Sequence, residues 1–317
     1  TLEDHVTARL KTEVDAWAMV ADRPDAEIAQ RIYTDRVDIL LETTGITDGQ
    51  RLGVMAMRPA PIQASLIGYL NTTGLRAIDY RIADAHTEPP GSEQFSVEKI
   101  IRLEPTYWCY RAPDDAPPVS PAPCEAADSP ITFGSFNSSP KINDAVIALW
   151  SRVLAAVPGS RLLLKAYDFA DPLLRDDLAA RFARAGVEAG RVEFEGPTQE
   201  LGAFLANYGR IDIALDPFPF NGTTTTLDAL YMGVPVVTLA GRTHAGRTGV
   251  SILTALGAPE WIAPTPDDYI RIAAGMAADR PKLAEIRRTR PGFTFALRIG
   301  NSDEVLRQVL DHETDVG

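Results

Sequence analysis

"IDIALDPFPFNGTTTTLDALYMGVPVVTLAG", Ile211–Gly241, decides how this chain is read. An apolar run ends in an acid, a Pro/Phe/Asn/Gly loop follows, then a segment of helical spacing, then a second run rich in valine. Strand, loop, helix and strand in that order form the repeating unit of a parallel α/β sheet. Within it Thr223–Thr226 stand out, because β-branched residues are poor helix formers. Gly222 permits a sharp turn and the threonines open a helix. The unpaired N–H groups and positive dipole end of a helix start make an anion site, and hydroxyls add donors without adding charge. The residues admit two readings. Asn221, Gly222, Thr223, Thr224, Thr225 and Thr226 form a phosphate cradle, or Thr223 or Thr224 simply caps the helix. Asp228, one turn further, either accepts a ribose hydroxyl or only favours the dipole.

Outward from this stretch the alternation continues. Strands are expected at "ITFGSF", "RLLLKA", "RVEFEG", "IDIALD" and "PVVTLA", with helices over Asn143–Ala156, Leu173–Ala185, "QELGAFLANYG", "TLDALYMG" and "GVSILTALG". Five strands interleaved with helices predict a doubly wound sheet, whose ligands sit beyond the carboxyl ends of the strands. Three loops therefore matter. After "ITFGSF" come Asn137, Ser138, Ser139 and Lys141, ahead of a helix capped by Asn143. A lysine there opposes the helix dipole, so it is either a solvated charge or the partner of a bound anion. After "PVVTLA", Gly241–Gly249 reads "GRTHAGRTG", which mimics the pattern G-x-x-x-x-G-K-[ST] with Arg247 in place of lysine. That makes a P-loop NTPase the competing reading. Otherwise His244 and Arg247 are further donors to the same anion, or an idle loop.

Towards the N-terminus, "TLEDHVTARLKTEVDAW" reads as a helix capped by Thr1. A helix over Glu27–Thr34, a strand over Val37–Leu41 and apolar stretches at Pro61–Leu70 and Ala77–Asp84 follow. The proline-rich Arg111–Pro130 holds little that could pack and reads as a linker. The expected domains are a partial N-terminal lobe at 1–113, a linker at 114–130, a ligand-binding lobe at 131–293 and a C-terminal helical segment at 294–317.

Composition bounds the function. The 317 residues carry a net charge of -12 with pI near 4.9, which argues against nucleic-acid or anionic-membrane partners. No apolar run reaches the ~18 residues of a membrane span, and no signal-peptide core is visible. Cys109 and Cys124 have neither disulfide-framework nor zinc-ligand spacing, which fits a reducing cytoplasm. No G-x-G-x-x-G follows a strand, and no His/Cys/Asp cluster suggests a metal; no tightly bound cofactor is expected.

"ITFGSFNSSPKI", "LANYGRIDIALDPFPFNGTTTTLDALYMGVPVVTLAG", "HAGRTGVSILTALG" and, earlier, "RPAPIQASLIGYLNTTGLRAIDYRIAD" with "PPG" resemble the catalytic region of the O-GlcNAc transferase (SPINDLY-like) glycosyltransferases. The resemblance implies an α/β GT-B fold with two Rossmann-like lobes and an inverting, metal-independent transfer from a nucleotide-sugar. By the same resemblance Lys141 binds the diphosphate and stabilises the leaving nucleotide, Thr223, Thr224 and Thr225 donate to phosphate, and Asp228 holds the ribose. Phe204 stands near the base. The acceptor is a Ser or Thr hydroxyl of a protein, entering between the lobes near "TTGITDGQR", with Thr47 and Arg51, and "GYLNTTG", with Tyr69, Thr72 and Thr73. Electrostatics agrees, since sugar–phosphate cleavage leaves charge on the diphosphate, where fixed donors and an ammonium favour the transition state.

Departures from the family pattern bear on the donor. Ile46 and Phe204 occupy positions where the family has histidine, Leu70 and Asn71 replace Pro-Gly, and "FALRIGNSDEVL" replaces a Ser-Pro-Leu stretch. Phe204 can stack on a base but cannot hydrogen-bond it. UDP-GlcNAc is the family default. A flagellin glycosyltransferase using a CMP-nonulosonic acid is an alternative, as is a non-catalytic protein-binding remnant. The alanine and arginine bias suggests a GC-rich bacterial genome. Family members carry a further strand, a histidine-bearing loop and tetratricopeptide repeats upstream, so the N-terminal lobe is expected to be incomplete here, with an exposed sheet edge.

Overall fold

The computed structural model describes residues 3–289. The helical segment expected at 294–317 and the "FALRIGNSDEVL" stretch lie outside the described residues. The chain forms two compact units, one running through Ile82 with Gly91–Ile101, the other made of Ala83–Pro90 and the chain from Arg102 onward.

In the first unit α1 (His5–Thr12) starts at Asp4, whose carboxylate accepts the Thr7 amide at 2.8 Å. The cap is thus Asp4 rather than Thr1, and an acid there also suits the dipole. Ile28 and Ala29 of α2 (Asp25–Thr34) pack on Val54 of α3 (Leu52–Ala56). Four strands, β1 (Ile39–Glu42), β2 (Ile62–Leu66), β3 (Tyr80–Asp84) and β4 (Lys99–Leu103), lie in the order β1-β2-β3-β4. β1 pairs parallel with β2, and β2 with β3, in a register that sets Leu41 beside Ala64 and Ala64 beside Tyr80.

The second unit is built from β5 (Thr132–Ser135), α4 (Asp144–Ala156), β6 (Arg161–Lys165), α5 (Pro172–Arg184), β7 (Val192–Glu195), α6 (Leu201–Ala206), β8 (Ile213–Leu215), α7 (Thr224–Tyr231), β9 (Val236–Leu239), α8 (Thr248–Leu256), β10 (Ile262–Ala263), α9 (Pro266–Ala278) and α10 (Arg280–Thr289). α4 forms because Asn143 caps it, accepting the Val146 amide at 3.0 Å, and because Val146, Ile147, Trp150, Val153 and Leu154 recur on one face. That face covers Phe133, Leu162 and Leu164 of the sheet. The strand order is β10-β9-β8-β5-β6-β7, all parallel. The chain winds outward from β5 to β7, then restarts at β8 on the other side of β5. The crevice between β5 and β8 is the topological switch point.

Two features go beyond the sequence reading, and the first corrects it. The proline-rich stretch packs: Ala122 and Cys124 are buried in the second unit's core, and Asp212 accepts the Cys124 amide at 2.8 Å and the Thr132 amide at 2.8 Å. Small side chains and one carboxylate suffice to dock a segment poor in large apolar residues. Secondly, Arg287 of α10 is buried and donates to the carbonyls of Tyr208, Ile211 and Met232. Met232 caps α7, and Gly233 follows with φ 74°, a conformation that favours glycine. Arg287 therefore places a cation at the negative end of α7.

Candidate functional site

The loops leaving β5 and β8 meet at the switch point. Lys141 ends a short 3₁₀ turn, Ser139–Lys141, just before α4. Its Nζ donates to the carbonyl of Asn221 at 2.7 Å and to Asn137 Oδ1 at 3.2 Å, and lies 4.2 Å from the centre of the Phe220 ring. Burial pushes the Lys141 ammonium below the usual lysine range, and the nearby Asp216 carboxylate opposes that shift. Asn137 Oδ1 also accepts from Thr225 Oγ1 at 3.2 Å, so one buried amide ties the lysine loop to the start of α7. An open cavity of 430 Å³ borders Lys141, lined also by Ser138, Asn143, Phe218 and Phe220.

Thr223 occupies the cap position of α7, yet its side chain accepts no helix amide. The first intrahelical bonds are those of the Thr226 and Leu227 amides to the Thr223 carbonyl, at 3.1 and 3.0 Å. Among the described residues no acceptor takes the amides of Thr223, Thr224 or Thr225, so these donors are open to an anion, as at any uncapped helix start. Thr226 is different: it is buried on the inner side, against Gly222. Gly222 is needed for closeness rather than for its turn, since it is absent from the positive-φ glycines. A Cβ on it would stand 2.6 Å from Thr225 Oγ1, 2.8 Å from Thr226 Oγ1 and 3.1 Å from Asn137 Oδ1.

Asp216 shapes this turn by accepting the Gly222 amide at 2.6 Å and the Thr238 hydroxyl at 2.7 Å. Burial pushes Asp216 up to about 6, against these bonds and the Lys141 charge. Asp228 is also pushed up to about 6 by burial, with the Tyr110 hydroxyl, donating at 2.7 Å, acting the other way. Phe204 is half-buried, edge-on to Phe136 and Tyr208, with its ring 6.0 Å from Lys165 Nζ. Among the described residues no three His, Cys, Asp or Glu side chains are grouped to hold a metal ion. No helix there is long and apolar enough to cross a membrane.

The loop after β9 folds partly on itself. Three of its amides turn inward, Gly241 N to Gly246 O at 2.7 Å, Gly246 N to Thr243 O and Arg247 N to His244 O. Those three donors are not open to a phosphate, and Arg247 stands where a P-loop has its lysine. His244 is buried, Nε2 against the Tyr107 hydroxyl at 2.6 Å and Nδ1 against Glu88 at 2.9 Å, and Arg247 donates to the carbonyls of His86 and Gly241. Both side chains are thus committed inside the unit rather than turned to the Lys141 cavity. The loop braces the cradle instead: Ala245 O takes the Asn221 amide at 2.9 Å, and Thr248 Oγ1 donates to Gly222 O at 3.0 Å.

The residues expected on the acceptor side stand in the first unit. Thr47 is exposed, Tyr69 is half-buried against Gly45, and Arg51 pairs with Asp25 at 3.0 Å. Thr72 and Thr73 are spent on Glu98, through Thr72 Oγ1 at 2.6 Å, the Thr73 amide at 2.7 Å and the Thr73 hydroxyl. A larger cavity of 670 Å³ in this unit borders Tyr33, Arg36 and Arg58, but Arg58 is occupied by Asp79 at 2.7 Å and by two backbone carbonyls.

Two α/β units with parallel sheets, the second carrying a crevice at its switch point, define the GT-B class of glycosyltransferase folds. A solved mutant of the Thermobaculum terrenum O-GlcNAc transferase superposes with TM-score 0.88 at 35% identity, covering 98% of this chain and 59% of that one. The lipopolysaccharide outer core galactosyltransferase WaaB shares the fold at TM-score 0.55 and 13% identity, covering 91% of this chain and 79% of its own. The chain belongs to glycosyl transferase family 41, which it matches over residues 4–111 and 121–291. It is 41% identical over 290 residues to the Hordeum vulgare protein named "Probable UDP-N-acetylglucosamine--peptide N-acetylglucosaminyltransferase SPINDLY", and 40% identical over 271 residues to its Arabidopsis thaliana namesake. These alignments cover 90% and 86% of this chain but only 31% and 30% of those proteins.

Proposed function

We propose that the chain carries the donor-binding and catalytic part of an inverting, metal-independent glycosyltransferase that moves a sugar from a nucleotide-sugar to a Ser or Thr hydroxyl of a protein. The observation that supports this reading is the junction at the switch point, where Asn137 accepts from both Lys141 and Thr225, so that the ammonium is tied to the start of α7, whose first amides have no acceptor among the described residues. The acceptor oxygen attacks the anomeric carbon as the bond to phosphate breaks, the electron pair departs on the diphosphate, and the hydroxyl proton passes to a phosphate oxygen of the leaving group or to solvent. Lys141 and the amides of Thr223–Thr225 meet that growing charge. Removing one such donor typically costs about 3 kcal/mol of barrier.

The names of the barley and Arabidopsis relatives support UDP-GlcNAc as donor. Phe204 supports a stacked base without selecting which one, so a donor series of UDP-, GDP- and CMP-sugars, read by thermal stabilisation, is the first experiment. Lys141→Ala is the second. It should fold, and should lower sugar transfer to a protein acceptor by two to three orders of magnitude, roughly the effect of losing an oxyanion donor. Unchanged transfer would rule the reading out.

A further inference from the structure

Tyr110 reaches the candidate site from far away in sequence, 118 residues from its partner, and stands apart from the bond-breaking step. Its hydroxyl donates to Asp228 Oδ1 at 2.7 Å, and its ring leans on Tyr231 of the same helix, 6.3 Å between centres at 56°. Asp228 is 5 % exposed, and its carboxylate receives no other hydrogen bond from the described residues. A carboxylate buried to that degree needs donors to stay ionised, and a single fixed donor on one oxygen also fixes the plane of the other. We propose that Tyr110 is a positioning residue for nucleotide binding, pinning Asp228 Oδ1 so that Oδ2 stands ready to accept a ribose hydroxyl of the donor.

This inference rests on the donor-site reading above. Its chemistry is consistent on the tyrosine side: burial and the Asp228 charge push the Tyr110 phenol well above its ordinary range, so it remains an O–H donor. Tyr110→Phe removes one hydroxyl and keeps the ring against Tyr231. The same hydroxyl is what separates a positioned carboxylate from a loose one, so the loss should be felt by ligands that carry ribose hydroxyls and by no others.

The test is calorimetric. UDP, GDP and CMP are titrated into wild-type protein, and the tightest binder is carried forward beside its 2′,3′-dideoxy counterpart. Tyr110→Phe should weaken the ribonucleotide roughly ten- to a hundredfold, the range of one hydrogen bond to a charged group, and leave the dideoxynucleotide unchanged. In an Asp228→Ala background the same substitution should do nothing further. Equal weakening of both ligands, or weakening of neither, overturns the role of Tyr110 while the donor site stands. Failure of wild-type protein to bind any of the three nucleotides overturns the donor site itself, and this inference with it. Melting curves of each variant identify any loss of folding.

Discussion

Gly222→Ala is the sharpest probe of the cradle. The added methyl would lie 2.6 Å from Thr225 Oγ1 and 2.8 Å from Thr226 Oγ1, closer than real Cβ contacts come, and 3.1 Å from Asn137 Oδ1. Thr226 is buried and Thr225 is held by Asn137, so relief must come from rotating Thr225 away from its bond. Overpacking of this kind costs about 1–3 kcal/mol, of which about 1 is the lost hydrogen bond. At about 2 kcal/mol, a unit of this size should melt roughly 4–8 °C lower. Because Asn137 also receives Lys141, a shift of that amide loosens one of the ammonium's two hydrogen bonds and detaches it from the start of α7, and UDP affinity should fall roughly tenfold. Gly275→Ala serves as the control. That glycine is exposed in α9 with nothing within 4 Å of the added carbon, so alanine should stabilise by about 0.5–1 kcal/mol and leave nucleotide binding alone. Scanning calorimetry and titration with UDP read both. Wild-type melting and wild-type UDP affinity in Gly222→Ala would refute the idea that this close approach shapes the anion site.

Arg287→Met should cost about 3–5 kcal/mol in denaturant titration, because the carbonyls of Tyr208, Ile211 and Met232 would lose their buried donor. Glu98→Gln should lower the stability of the first unit by about 1–2 kcal/mol at neutral pH. Burial raises Glu98, but the bonds from Thr72 and Thr73 outweigh it and leave the carboxyl below its ordinary 4.5. The stabilisation is therefore present above 4.5 and lost as pH falls through the folded value, so urea titrations of the two proteins should converge in acid. For Asp228 the sign reverses. Its folded value near 6 exceeds the ordinary 3.8, so the folded state holds the proton longer and stability declines as pH rises between them. Melting temperatures of Asp228→Asn across that window should decline less steeply than those of wild type.

Much of the second unit is legible in the sequence because its strands are short apolar runs fenced by turn residues, and doubly wound sheets place ligands by rule. Lys141 and the threonines of α7 were reachable that way. β10, with two residues, is too short to make a pattern, and "KIIRL" of β4 follows a polar run that hides it. α3 has five residues behind the turn signals of "TTGITDGQ". The inward turn of His244 was not legible, because Glu88 and Tyr107 lie 156 and 137 residues away and only the tertiary fold brings them together. Nor could spacing tell Thr226 from its three neighbours. Burial separates it from them, and burial depends on where Gly222 sits.

The bond from Lys141 to the Asn221 carbonyl joins residues 80 apart in the chain. β6, α5, β7 and α6 all intervene, so the ammonium and the helix amides become neighbours only when β5 and β8 have zipped together. A partly synthesised unit would own one half of the proposed grip. Nucleotide affinity at that site would therefore report on the completed sheet, and bound nucleotide would reward only molecules that have finished folding.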